Sequence, residues 1–161
     1  MTSTYMAHTV HIRDSALQLI ATEAARSCDG LETGGILLGS NTKNDQFRVL
    51  IAGDPGPAAI REPSRFLRDL HHAQTLANQA WKAERAQWIG EWHTHPGGQP
   101  VPSPFDMVSY LRHLGDPELG FTQFLSLIVA FPETGPPVVG AWRITKHGAQ
   151  AVDIQVVTER D

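Results

Sequence analysis

The stretch Glu91-Trp92-His93-Thr94-His95-Pro96-Gly97-Gly98-Gln99-Pro100-Val101-Pro102-Ser103-Pro104-Phe105-Asp106 decides how the rest of the chain reads. Gln87 to Thr94 has the composition of a strand. Its alternation sends Trp88, Gly90, Trp92 and Thr94 one way and Ile89, Glu91, His93 and His95 the other. Two imidazoles therefore share a side. Pro96 to Pro102 is a Gly/Pro loop, and Ser103-Pro104 opens a helix to about Leu114, with Ser at the N-cap and Pro at the first helical position. Asp106 falls in the first turn, where its carboxylate can swing toward the histidines. Two imidazoles and one carboxylate leave a fourth tetrahedral position open to water, the arrangement of a hydrolytic zinc site rather than a closed structural one.

Each piece also has a plainer reading. Ser103-Pro104-Phe105-Asp106 matches a capping box, in which Asp106 reaches back to the Ser103 backbone. A lone His-x-His is more often surface decoration, and a lone Glu32 is an ordinary loop residue. The conjunction is rarer: His-x-His-x7-Ser-x2-Asp arises by chance in roughly one sequence of this composition per thousand.

Upstream, His8 to Ile12 reads as a short strand, and Asp14 or Ser15 caps a helix to about Cys28, with Leu17, Ile20, Ala24 and Cys28 on its inner face. Gly34 to Gly39 and Phe47 to Ala52 form a hairpin around a turn at Asn41 to Asp45. Asp54 to Pro63 reads as a mobile loop, and Asp69 to about Arg85 as a helix. Downstream, Gln123 to Phe131, Val138 to Thr145 and Ala151 to Thr158 are strands, the last two joined at Lys146-His147-Gly148. This order predicts one α/β or α+β domain over residues 1–161, with a mixed sheet flanked by helices.

Composition narrows the chemistry. The 161 residues are 41% apolar with a formal net charge of −4 and no long basic run, which argues against nucleic-acid partners. Met1 to Asp14 lacks a signal-peptide pattern, and the Leu125 to Phe131 run is too short to cross a bilayer, so a cytoplasmic location with no membrane partner is the expectation. Cys28 is the single cysteine, expected to pack in the core, so a metal must be held by nitrogen and oxygen. Glu32, at the entrance of the glycine-rich strand, is the candidate general base. Gly34 and Gly35 there would leave room for substrate or metal. Ser103 is the candidate oxyanion donor. Trp88, Trp92 and Trp142 read as core. His113 and His147 read as surface, His71 and His72 as unable to share a metal, and Arg61, Arg65 and Arg68 as a solvated face.

The full pattern resembles the JAMM motif of the MPN/JAB metalloprotease family: Glu32, then His93-x-His95-Pro96, then Ser103 and Asp106. Glu32-Thr33-Gly34-Gly35-Ile36-Leu37-Leu38-Gly39 matches that family's first segment, and the likeness covers about residues 7 to 145. The resemblance implies the MPN/JAB fold with cytidine-deaminase-like layering. It implies one zinc per chain on His93, His95 and Asp106, with catalysis by Glu32 and Ser103. The implied substrate is the C-terminal tail of a ubiquitin-like protein or its conjugate, in a pathway with E1- and E2-like enzymes. The chain looks most like the standalone bacterial proteases of CBASS and other ubiquitin-like anti-phage conjugation operons. A sulfur-carrier peptidase, a phage tail-assembly peptidase and a non-catalytic scaffold are the alternatives. The scaffold reading fits least, because every motif residue is kept.

Overall fold

The computed structural model describes residues 8–41 and 46–158. Nine strands and three helices follow one another as β1 (Thr9–Arg13), α1 (Asp14–Arg26), β2 (Gly34–Asn41), β3 (Phe47–Ala52), β4 (Ile60–Glu62), β5 (Arg65–Leu67), α2 (Leu70–Glu84), β6 (Gln87–His95), α3 (Pro104–Gly115), β7 (Phe124–Ala130), β8 (Val138–Thr145) and β9 (Gly148–Val157). The main sheet runs β1-β3-β2-β6-β7-β8-β9 and closes where β9 pairs with β1. The β1/β3, β1/β9 and β6/β7 pairs are parallel and the other four antiparallel, so the sheet is mixed as the sequence predicts. Closure removes the open edges that a seven-stranded sheet would present to other chains.

Helices cover both faces. On one, Ala16, Ile20 and Ala24 of α1 pack with Leu37, Val49, Trp92, Leu125 and Leu127. On the other, α2 lies over Ile36 and Leu38, and α3 sets Tyr110 against Phe124 and Ile144. The β2–β3 hairpin forms as expected, although most of its turn, residues 42–45, lies outside the described residues, as do residues 1–7 of the N-terminal segment.

Four expectations need correction. First, β6 does not alternate throughout. Its pairing with β2 jumps from Leu37↔Gly90 to Leu38↔Trp88, leaving Ile89 as a bulged residue. A one-residue slip exchanges the faces of a strand. Ile89 and Trp92 therefore enter the α1-side core, while Trp88 joins the clusters under α2 and α3. The two tryptophans do not share a face. Second, α1 ends at Arg26. That leaves Cys28 exposed, its thiol donating to Ala25 O at 2.9 Å. Its N-terminus also lacks a side-chain cap: Arg13 occupies the N-cap, and Asp14 is the first helical residue. Third, residues 54–63 are not all loop, since Ile60–Glu62 pairs with Arg65–Leu67 in a small hairpin. Fourth, Arg61 and Arg68 do not belong to a solvated face. Arg61 grips Asp29, while Arg68 sits 4.6 Å over the Trp88 ring and pairs with Glu91.

α3 carries the predicted cap, Ser103 accepting from Asp106 N–H, and α2 is capped by Asp69, which accepts from His72 N–H. Among the described residues, no helix is long and apolar enough to cross a membrane.

Candidate metal centre and cleft

Three ligand-type side chains meet where β6 gives way to α3. His93 and His95 project together from β6 beyond the bulge, and Asp106 is the third residue of α3. The two Nε2 atoms are 2.9 Å apart. Asp106 Oδ2 lies 3.2 Å from that of His93 and 3.1 Å from that of His95. His95 Nδ1 is 2.8 Å from Gln99 O, and a carbonyl can only accept, so the Nδ1 position carries a proton. In the neutral ring Nε2 then turns its lone pair toward the carboxylate. That contact needs a proton or a metal cation between the two atoms. Zinc bonds of ~2.0–2.1 Å to nitrogen and oxygen make a tetrahedron with edges of about 3.3 Å. A triangle of 2.9, 3.1 and 3.2 Å is close to one face of it. The residues present fit zinc.

The capping box is present too, and it uses the same atom. Asp106 Oδ2 accepts from Ser103 N–H at 2.8 Å, while Ser103 Oγ accepts from Asp106 N–H at 3.0 Å. The cap thus holds the very oxygen of Asp106 that faces the histidines, so the capping role of Asp106 leaves that oxygen in place beside them. Ser103 keeps its hydroxyl proton to donate elsewhere.

Glu32 arrives from the other side of the sheet register. Gly34 pairs with His93, and two residues further out Glu32 stands opposite His95. Thr33 N–H donates to Thr94 Oγ1 at 3.0 Å and Thr94 N–H to Thr33 O at 2.9 Å, which pins that register. Glu32 Oε1 is 3.7 Å from His95 Nε2, and ligand atoms of Glu32, His93 and His95 lie within 4.8 Å of one another. The glycines of β2 do not simply leave space for substrate. A Cβ on Gly34 would come within 2.3 Å of Trp92 O and 2.9 Å of His93 Cβ; one on Gly35 would come within 1.9 Å of Gly53 O. They let the neighbouring backbone approach, and at Gly34 that neighbour carries His93.

Electrostatics follow the geometry. Burial raises the Glu32 carboxyl above its usual range, suiting a group that must take up a proton near neutral pH. Burial alone would also raise Asp106, but the two imidazoles and the Ser103 N–H hold it well below the usual carboxylate range. Burial opposes charge on His93, and the adjoining Asp106 outweighs it to raise that imidazole.

A cleft of ≈ 410 Å³ opens beside these residues. Ile60, Phe66 and Leu67 of the β4–β5 hairpin and Phe105 and Val108 of α3 line it, together with Glu32, His93 and Asp106. Glu91, to which the sequence reading gave no role, and Arg68, which it placed on a solvated face, also line it. Glu91 Oε1 is 3.8 Å from His93 Nδ1, and burial raises its carboxyl. The signal available for Glu91 was its place on the face of His93. His113 is half-buried in the same wall rather than at the surface. It packs edge-on to Trp88, and burial first, then Arg68, brings its imidazole down to about 4. His72 instead pairs with Asp54, away from the three ligand-type residues, and Trp142 holds the Gly/Pro loop by donating to Pro100 O at 2.8 Å.

The family model for prokaryotic homologs of the JAB domain matches residues 14–145. Several bacterial proteins carrying the name CD-NTase/cGAS isopeptidase are similar. One from Enterobacter hormaechei subsp. hoffmannii is 31% identical over 103 residues, 63% of this chain and 56% of its own length. One from Vibrio cholerae serotype O1 is 33% identical over 85 residues, 52% of this chain and 54% of its own. One from Pseudomonas aeruginosa is 31% identical over 107 residues, 64% and 66%. The chain therefore spans between half and two thirds of the length of these relatives. Among solved structures, the protein DSY2949 from Desulfitobacterium hafniense superposes with a TM-score of 0.71 over 94% of this chain and 95% of its own, at 20% identity, a likeness of fold alone.

Proposed function

The chain belongs to the family of prokaryotic JAB-domain homologues, and on that premise we propose that it is a zinc-dependent isopeptidase. Its substrate would be a conjugate in which the C-terminal tail of a ubiquitin-like protein is joined to a lysine, the target being a CD-NTase of an anti-phage system. One observation carries the chemistry: His93 Nε2, His95 Nε2 and Asp106 Oδ2 stand 2.9–3.2 Å apart beside the buried Glu32. The shared name of the relatives supports the substrate.

His93, His95 and Asp106 would hold the metal, and Gln99 O would keep His95 in the tautomer that binds it. Zinc there supplies the Lewis acidity that makes water a nucleophile at neutral pH. Glu32 takes the proton from the attacking water and later delivers it to the departing lysine amine, so the carbonyl carbon gains the oxygen and the C–N bond breaks. Ser103 donates its hydroxyl hydrogen to the carbonyl oxygen as negative charge develops there. The apolar cleft walls exclude water from the extended tail.

The test is cleavage of a CD-NTase joined through a lysine to the C-terminus of a ubiquitin-like protein. The zinc-loaded chain should release both parts, a chelator should stop release, and added zinc should restore it. An intact conjugate with the zinc-loaded chain, or full-rate cleavage by the metal-free chain, would overturn the proposal.

A further inference from the structure

The segment that delivers Glu32 has no regular structure of its own. α1 ends at Arg26 and β2 begins at Gly34, so the backbone groups between them need partners from elsewhere. β4 provides them. Glu32 N–H donates to Glu62 O at 2.8 Å. The Arg61 guanidinium then closes over the same stretch. Its Nε donates to Glu32 O at 3.1 Å and its Nη2 to Leu31 O at 3.4 Å. Its two terminal nitrogens grip both oxygens of Asp29, at 3.0 and 2.9 Å. Asp29 is itself oriented by the Leu31 N–H at 3.1 Å. One planar fork thus collects four acceptor atoms from three residues, Asp29, Leu31 and Glu32, which a lysine, with its single ammonium, cannot copy.

β4 is also part of the cleft wall. Ile60, next to Arg61, lines the cleft, as do Phe66 and Leu67 across the hairpin. The strand that borders the substrate's space and the loop that carries the base are therefore fastened together by one backbone hydrogen bond and one side chain.

We propose that Arg61 is a positioning residue for Glu32, fastening the base-bearing segment Asp29–Glu32 to the β4–β5 hairpin that walls the cleft. The proposal rests on Glu32 being the base. Arg61 and Asp29 are 27% and 47% exposed, and ion pairs this open to water add little to stability. Their loss should therefore leave the fold standing and shift the carboxylate, where a misplacement of about 1 Å can cost ~10²-fold in rate.

Arg61→Ala, Arg61→Lys, Asp29→Ala and Glu32→Gln are compared with the parent as full chains loaded with zinc. Zinc content, thermal midpoint, kcat and KM are measured on the same CD-NTase conjugate. Both Arg61 variants should lose about tenfold or more in kcat, with KM and zinc content within about twofold of the parent. Lysine should give no rescue, and Asp29→Ala should fall in between. A parental kcat in Arg61→Ala overturns the proposal. So does a rise in KM alone, which would make Arg61 a substrate contact, or a fall in kcat that merely tracks lost zinc. Should Arg61→Ala fail to fold, Asp29→Ala decides by the same criteria. An active Glu32→Gln chain sinks the base itself. An inactive Glu32→Gln beside a fully active Arg61→Ala sinks only the positioning role.

Discussion

The two sides of the centre are built differently. The proposed ligand side, His93, His95 and Asp106, comes from one strand, one loop and one helix turn within fourteen residues of sequence, and the Ser103 cap secures it locally. The base side depends on distant pairings. Glu32 reaches His95 only because β2 pairs with β6 in one register and Arg61 of β4 ties down the intervening loop. A locally closed ligand set can survive disturbance of the sheet, whereas the base is only as well placed as the register and the hairpin that hold it.

The sharpest way to break this contrast is to remove one member from each side. Asp106→Ala should lose zinc and activity together, by about a thousandfold or more in rate, since metal activation of water is worth many pKa units. Glu32→Gln should be comparably inactive yet keep its zinc, because it removes only proton transfer. Metal analysis alongside turnover checks both. Zinc loss in Glu32→Gln would put Glu32 among the ligands, and a zinc-loaded Asp106→Ala would remove Asp106 from them.

Ser103→Ala should have the next largest effect. Loss of an oxyanion donor slows hydrolysis by about a hundredfold, and loss of an N-cap costs ~1 kcal/mol of stability. Rate and urea midpoint read the two roles apart. A rate unchanged beside a lowered midpoint would leave Ser103 as a cap alone.

The smallest effect belongs to the far wall of the cleft. His113 is held at about 4 when folded, against 6.5 when free. As pH falls through 6.5 the unfolded chain takes up the proton first, so this group's contribution to stability declines from there down to about pH 4. His113→Phe removes that proton uptake. Its urea midpoint should match the parent more closely at pH 7 than at pH 4.5, where the variant should hold up better. A variant that loses more stability than the parent over this range would contradict the assignment.

These differences also explain what could be read from the sequence. The convergence of His93, His95 and Asp106 was legible because strand alternation and a Ser-Pro helix start are local rules. The order of elements was legible for the same reason. The placement of Glu32 beside His95 was harder: nothing near Glu32 says which strand it will face, and the glycine-rich segment with its family resemblance had to supply that. Arg61 looked like one arginine among three on a polar face, since its partners Asp29 and Glu32 O lie about thirty residues away. Cys28 was misplaced because helical periodicity does not announce that α1 stops two residues before it. The β4–β5 hairpin was hidden by the Pro/Gly pairs before it. No residue marked the bulge at Ile89, because Gln-Trp-Ile-Gly-Glu-Trp reads equally well with or without a slip.

That bulge makes β6 behave like a switch in a railway track. Upstream of it, Trp88 runs on the side of α2 and α3; at Ile89 the strand changes phase, and from Gly90 onward Glu91, His93 and His95 occupy that side while Trp92 turns inward. The strand can thus place Trp88, His93 and His95 on the same exterior face although an even number of residues lies between the tryptophan and each histidine. Deleting the single residue Ile89 would force a choice between keeping Trp88 in place and keeping the histidines outside. Which face of the barrel carries His93 and His95 relative to Trp88 thus depends on one residue, Ile89, that packs in the core on the opposite face.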